Sequence, residues 1–432
     1  RSLISHVMAA MALVLTVITT VGMLLAPLLI WIFAPGFGDE PNKFELATTL
    51  LRITFPYLLF ISLTALAAGI LNSYGYFAAP ALAPIFLNIC LISGALTAHF
   101  YLHDDIRALA WGVFVAGLLQ FMFLLPFLKK LRLLPRPRLK LADEGVRRIG
   151  RLMLPALFGS SVMQVNLLLD TLIASFLVTG SISWLYYSNR LVEFPLGVFG
   201  IALSTVVLPS LSSQFARRSL QDYSRTLDWA IRWIWLIAPA ATLGLVILSQ
   251  PVLISLFEYG QFGPQDARMA SYSLMAYGSG LTAFIFVKVL ATAFYSRQDT
   301  KTPVRIGIIA MASNMVMNIA LVFPLQHAGL ALATALSSCL NAGLLFLHLK
   351  RQRIYTPCSG WAVFFIRIAL ANLVMTLLLL TAVPEPETWR DWSWTLRIME
   401  LLKWIGMAIL VYTSSLLILG IRPRQLISAH HE

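Results

Sequence analysis

"PLLIWIFAPG", residues 27–36, returns as "PVLISLFEYG", residues 251–260, with Pro27 and Pro251, Phe33 and Phe257, and Gly36 and Gly260 each 224 positions apart. The offset persists beyond this stretch. Ser73 and Pro80 recur as Ser296 and Pro303, 223 apart, and Lys129-Lys130 recurs as Lys350-Arg351, 221 apart. Three anchors at nearly constant separation mark an internal duplication, because chance likeness between oily helices does not keep its register across loops.

The duplicated material is membrane helix. Hydrophobic residues make up 59% of the 432-residue chain and charged ones 12%, with a mean hydropathy of +0.79. A soluble surface needs about a quarter of its residues charged. The apolar residues gather in runs of about 20, the length that crosses a ~30 Å hydrocarbon core as helix, and they lack the alternation of barrel strands. We expect an all-α polytopic membrane protein with twelve transmembrane helices, at 7–33, 46–72, 80–102, 107–128, 149–178, 183–213, 226–257, 267–296, 303–325, 327–349, 361–383 and 395–420.

The formal charge of +13 is first a statement about topology, not about nucleic acid. Basic clusters fall on alternate loops: Lys129 to Arg151; Arg217, Arg218 and Arg225; Arg297, Lys301 and Arg305; Lys350, Arg351 and Arg353; Arg422 and Arg424. These loops are expected in the cytoplasm, which places the C-terminus there. The opposite loops carry Asp39, Glu40 and Glu45, then Asp104 and Asp105, then Glu258 and Asp266, then Glu385, Glu387 and Asp391.

The repeat also sets the domain plan. The spans at 149–178 and 183–213 have no counterpart after residue 1, so the first of two six-helix lobes is expected to lack its first two helices. The chain divides into an N-terminal lobe at 1–130, a basic cytoplasmic linker at 131–148, a C-terminal lobe at 149–353, and two extra helices with a cytoplasmic tail at 354–432. Six is even, so both lobes share one orientation, a parallel repeat that encloses a central cleft.

Polar residues inside the spans carry the chemistry. Arg190 and Glu193, in "WLYYSNRLVEFPLG" (184–197), are three residues apart on one helical face. At 1.5 Å per residue they sit roughly 10–15 Å from the outer end of their span. A charge at that depth costs at least ~2.5–3.5 kcal/mol unless it faces a partner or water. The pair is either an internal salt bridge that locks packing or an anion-contacting site in which Arg190 offers its planar fork to phosphate or carboxylate. Tyr186, Tyr187 and Asn189 adjoin it, either as contacts for sugar and amide groups or as packing residues. Arg52 and Lys288 are further cations that either face a cavity or snorkel to an interface; Arg367 and Lys403, on the two helices outside the repeat, either snorkel or line a lipid-facing groove.

A second group is oxygen-rich. Asp170, with Asn166 one turn earlier, Asn314 and Asn318 at i and i+4, and Thr334 suit either a hard monovalent cation such as Na⁺, a proton on Asp170, or plain interhelical hydrogen bonding. Cys90, Cys339 and Cys358 have no paired spacing, and no disulfide framework or cysteine zinc site is expected. His99 and His103 stand at a loop edge, and no metal site is expected there. The chain has no Gly-rich phosphate loop followed by Lys, no HExxH and no GxSxG. Without a nucleotide site, an ion gradient or the membrane potential is the expected driving force, and the chain reads as a secondary carrier.

"LLDTLIASFLVTGSISWLYYSNRLVEFPLGVFGIALSTVVLPSLS" (168–212), "FYSRQDTKTPV" (294–304) and "ILNSYGYFAAPALAPIFLN" (70–88) resemble the MurJ/MviN lipid II flippases of bacteria, within the multidrug/oligosaccharidyl-lipid/polysaccharide exporter superfamily. The resemblance covers essentially the whole chain. It implies two six-helix lobes in a V, two further helices forming a groove for an undecaprenyl tail, and residence in the bacterial inner membrane. It implies the substrate lipid II, the diphosphate-linked GlcNAc-MurNAc-pentapeptide, carried from the cytoplasmic to the periplasmic leaflet for peptidoglycan synthesis. Arg190 matches an essential cavity arginine of the family's motif and Glu193 its acidic neighbour. Asp170, Asn314, Asn318 and Thr334 stand at positions similar to an Na⁺ site of some members. Expected partners are lipid II and membrane lipids, with peptidoglycan-synthesis enzymes as candidates, for a monomer without nucleic acid. Two alternatives stay open: a cation-coupled drug or polysaccharide-lipid exporter, and a non-transporting scaffold for cell-wall synthesis.

Overall fold

The computed structural model describes residues 2–103, 105–133, 150 and 164–421. Asp104, the basic segment 134–149, the expected span at 149–178 between residues 151 and 163, and Arg422 and Arg424 lie outside the described residues. Two compact units emerge, one of Arg1–Gln164 with Thr171–Phe176, the other of Val165–Asp170 with Leu177–Glu432.

In the first unit, α1 (Ser2–Leu24), α2 (Ala26–Phe33), a 3₁₀ turn (Pro35–Asp39), α3 (Pro41–Thr54), α4 (Tyr57–Ser73), α5 (Ala78–Leu82), α6 (Ile85–Tyr101) and α7 (Arg107–Lys130) follow in order. Helix α8 (164–175) contributes to both units. The second unit continues with α9 (Ser181–Pro195), a π turn (Leu196–Ile201), α10 (Ala202–Ala216), α11 (Leu220–Ile247), α12 (Ser249–Phe257), α13 (Pro264–Ser279), α14 (Leu281–Tyr295), α15 (Lys301–Arg351), α16 (Trp361–Ala382), α17 (Pro386–Asp391) and α18 (Trp394–Ile418). No strand occurs among the described residues.

Among the described residues nine helices are long and apolar enough to cross a membrane, or ten when α13 and α14, bent by 40° at their junction, are taken as one span. The expected spans at 303–325 and 327–349 run together as α15, whose 51 residues are interrupted at Gln326 (φ 49, ψ −129) two positions after Pro324. That backbone is far from helical, so the run is two arms meeting at a sharp break.

The duplication is visible in the backbone. Leu25 breaks α1 from α2 and Leu248 breaks α11 from α12, both at φ −87 and ψ 10. The cause is Pro27 and Pro251. Each lacks the N–H that would bond the carbonyl four residues earlier, so the helix relaxes there and restarts. In the first unit the carbonyl freed by Pro27 is that of Met23, and the Arg52 Nε on α3 donates to it at 3.4 Å. Helices α3 and α13 both open on a proline, Pro41 and Pro264, at the first helical turn where a missing N–H costs nothing.

Each unit has its own packing. In the first, Met8, Leu63, Ala67, Leu71, Leu124 and Leu128 form a core shared by α1, α4 and α7. In the second, α9 packs on α13, α13 and α14 on α15, and α11 on α14. Helices α16 and α18 pair with each other, and α16 rests on α11.

Candidate functional site

Helix α9 buries Ser181, Trp184, Leu185, Ser188 and Val192, a stripe with helical spacing that leaves the opposite face free. Two polar bonds seat the buried side. Ser188 Oγ lies 2.7 Å from the carbonyls of Trp184 and of Ala270 on α13, and Trp184 Nε1 donates to Asp266 Oδ1 at 2.8 Å. The free face then presents Tyr186, Asn189, Arg190 and Glu193.

On that face Arg190 Nη1 donates to Glu193 Oε2 at 2.7 Å, and the two side chains are 58% and 46% exposed. Arg190 is therefore not sealed in a dry interface of its own unit. Asn189 Nδ2 donates to Glu193 Oε1 at 2.9 Å, so its amide serves the carboxylate. The guanidinium also stands 5.1 Å from the centre of the Tyr186 ring, in cation–π range. Tyr187 meets this group through the Tyr186 ring, 5.7 Å away between centres. Its ring packs 4.7 Å from Phe257 and 5.2 Å from Phe262, which makes it a packing residue.

Pro195 ends α9, and the backbone passes through the π turn, a wide turn frequent at functional sites. Pro195 and Phe199 there form one end of an apolar groove of about 460 Å³, walled by Trp233, Leu236, Ala240 and Gly244 of α11, Leu248 and Val252 beside and on α12, Met375 of α16, and Ile405, Ala408, Tyr412 and Leu416 of α18. The Tyr412 hydroxyl is already committed to the Leu236 carbonyl at 2.5 Å. The groove is thus built for hydrocarbon.

The oxygen-rich group is connected. Asn318 Nδ2 donates to Asp170 Oδ1 at 2.6 Å and to Asn314 Oδ1 at 3.0 Å, and Asn314 Nδ2 donates to Thr334 Oγ1 at 3.4 Å. Asp170, Asn314 and Asn318 are all buried. Asn318 Oδ1 has no hydrogen-bond partner, and neither has Asn166 Oδ1.

The remaining cations are dispersed. Arg52 belongs to the first unit and serves the Met23 carbonyl. Lys288 on α14 is exposed. Arg367 Nη1 donates to the Gly420 carbonyl at 3.3 Å, while Lys403 pairs with Glu400 and lies 5.1 Å from the Trp404 ring centre. Among the described residues no group of three or more His, Cys, Asp or Glu is placed to hold a metal.

Sequence reasoning missed two clamps that hold α16 to α18 on the second unit. The buried Asp228 of α11 accepts from Arg232 Nε at 2.9 Å, Tyr355 OH at 2.7 Å, Trp361 Nε1 at 2.9 Å and the Cys358 amide at 3.2 Å. Burial first, and then the Asp228 carboxylate, push the Tyr355 hydroxyl far above its ordinary pKa, so it stays a donor. At the other end, Arg390 Nε donates to both oxygens of Glu258, at 3.0 and 3.3 Å, and Arg397 Nη2 donates to the Arg390 carbonyl at 2.8 Å. The only sequence signal was the i,i+4 spacing of Asp228 and Arg232, which any exposed helix also shows.

This fold has relatives. A family model described as lipid II flippase MurJ matches residues 1–398. A probable lipid II flippase MurJ of Haemophilus influenzae is 44% identical over 441 residues, covering 99% of this chain and 86% of that protein. Its Vibrio cholerae counterpart is 45% identical over 436 residues, with 99% and 83% covered. Among solved structures, a lipid II flippase MurJ in an inward closed conformation matches with a TM-score of 0.82 at 26% identity, covering 98% of this chain and 84% of the other. An inward-facing MATE family multidrug resistance transporter of the MOP superfamily matches at 0.68 and 15% identity over 81% of this chain and 80% of the other, a likeness of fold alone. With a match over most of its length and relatives above 40% identity across nearly all of it, the chain belongs to the lipid II flippase MurJ family.

Proposed function

We propose that this protein moves lipid II from the cytoplasmic to the periplasmic leaflet of the bacterial inner membrane by alternating access, as a secondary-type transporter and not an enzyme, with its C-terminus in the cytoplasm. The observation that carries the reading is a juxtaposition on one element. An exposed guanidinium stands nine residues along α9 from Ser181, and the same helix leads within five residues to an apolar groove of about 460 Å³ at Pro195. A molecule with a doubly charged diphosphate and a long isoprenoid tail needs both.

Arg190 is the headgroup contact, with Tyr186 limiting its motion and Glu193 competing for it. Lys288, exposed in the same unit, adds positive field. Contacts must differ between inward and outward states, because a ligand held equally in both shifts nothing. The groove walled by α11, α16 and α18 takes the tail, so only the polar head needs a sheltered path.

The Asp170 group fits a monovalent cation. It offers one carboxylate, two amides and a hydroxyl, and Asn318 Oδ1 is buried with no partner. Asn318 Nδ2 now lies between Asp170 Oδ1 and Asn314 Oδ1, and a half-turn of that amide exchanges donor for acceptor. Na⁺ bound there, or a proton on Asp170, together with the membrane potential, is the proposed driving force. We further propose that the protein works as a monomer beside the enzymes of peptidoglycan synthesis.

The test is Arg190→Ala in the full-length protein. The variant should reach the membrane folded and fail to support growth of a flippase-depleted strain. Full complementation by a variant expressed at the wild-type level would remove Arg190 from the mechanism.

A further inference from the structure

Arg190 is a fixed cation exposed on a membrane helix, and a bacterial membrane surrounds it with anionic lipids. Those bulk lipids are phosphodiesters with one negative charge. The disubstituted diphosphate of a lipid-linked sugar carries two. An open guanidinium would therefore be occupied by the abundant monoanions before the scarce dianion reached it.

The guanidinium does not stand open. Glu193 Oε2 takes Nη1 at 2.7 Å, Asn189 holds the other carboxylate oxygen at 2.9 Å, and the Tyr186 ring centre is 5.1 Å away. A carboxylate tethered three residues away has a high effective concentration. An incoming anion must displace it or sit beside it against like-charge repulsion. A monoanion only replaces the charge it expels. A dianion retains a surplus.

We propose that Glu193, held by Asn189, is a specificity-determining residue that closes Arg190 to monoanionic phosphodiester lipids and leaves it accessible to a lipid diphosphate. Asn189 is then a positioning residue: its amide fixes Oε1 so that Oε2 points at Arg190. The inference rests on the reading of Arg190 as the headgroup contact.

The experiment measures the Kd of fluorescent lipid II for the full-length protein in nanodiscs of phosphatidylcholine and in nanodiscs with equimolar phosphatidylglycerol. For the wild type and for Glu193→Asp, the two values should agree within about twofold. For Glu193→Gln, phosphatidylglycerol should weaken lipid II binding at least about tenfold, and Asn189→Ala should fall between. Glu193→Gln that is no more sensitive to phosphatidylglycerol than the wild type overturns the proposal. Should that variant not fold, wild-type insensitivity of Asn189→Ala overturns it instead. Arg190→Ala separates the two ideas: wild-type affinity of that variant in phosphatidylcholine sinks the headgroup reading itself, whereas loss of affinity there with an insensitive Glu193→Gln sinks only the selectivity.

Discussion

Gly36 and Gly260 occupy the same place in the two copies of the repeat, yet each is glycine for a different reason. A Cβ on Gly36 would lie 2.0 Å from the backbone oxygen of Ser175, and the Gly36 amide donates to Ser175 Oγ at 3.2 Å. Gly260 has open space around it and a φ of +58. The first needs to be small, whereas the second needs a left-handed backbone. The neighbouring positions have diverged too. Asp266 ties the start of α13 to Trp184 and to the Gly263 amide, whereas Lys43, 223 positions earlier, pairs with Glu40 and lies 4.6 Å from the Phe37 ring centre. Duplication preserved where the chain turns and left each copy to find its own means of holding the turn.

Four substitutions sharpen that contrast. Gly36→Ala should be the most damaging, at more than about 4 kcal/mol, because backbone and not a flexible side chain blocks the methyl; thermal unfolding in detergent reads it, and a loss under about 1 kcal/mol would show that the close approach is not needed. Asp228→Ala removes the acceptor of four donors in a clamp of the second unit, and should cost about 3–5 kcal/mol. Its companion readout is proteolysis of the 352–360 loop, which should quicken. Gly260→Ala should cost about 1–2 kcal/mol, the penalty of a left-handed residue with room to spare, so the two glycine variants should be clearly separable on one instrument.

The smallest effect is expected at Asp299, in the α14–α15 loop. Partial burial pushes its carboxyl up, but the Thr302 hydroxyl and amide, Arg297 and the Lys301 amide together hold it below the ordinary value. A depressed folded pKa stabilises the fold above the unfolded value of about 3.9, and that contribution is lost as pH falls through the folded one. Asp299→Asn should therefore flatten the acid limb of the stability profile, matching the wild type at the acid end below about pH 4 and falling slightly below it at neutral pH, where the carboxylate's contribution is fully present. An unchanged acid limb would dismiss the cap.

Much of the helical layout was legible because apolar runs end at charges, prolines and glycines. The spans expected at 107–128, 361–383 and 395–420 are Arg107–Lys130, Trp361–Ala382 and Trp394–Ile418. The internal breaks at Leu25, Leu248 and Gly280 were not read, since hydropathy runs through them without a dip. For the candidate site, the i,i+3 spacing gave the shared face of Arg190 and Glu193 and set Tyr186, Tyr187 and Asn189 on the adjoining turn, but neither that Tyr187 packs on Phe257 nor that Asn189 turns to Glu193, which is a choice of rotamer. Asp170 and Asn318 meet across 148 residues, and were grouped by chemistry rather than by any spacing rule. Asp228 stayed hidden because three of its four donors lie 127 to 133 residues further on.

The π turn at Leu196–Ile201 leaves α9 and α10 out of phase. An α-helix advances about 100° per residue, and the wide turn absorbs one residue more than a regular one. Deleting a single residue there would bring the two halves back into step and swing every side chain from Ala202 to Ala216 by about that angle about the helix axis. What an alignment scores as one gap, this helix would feel as the rotation of its whole second half.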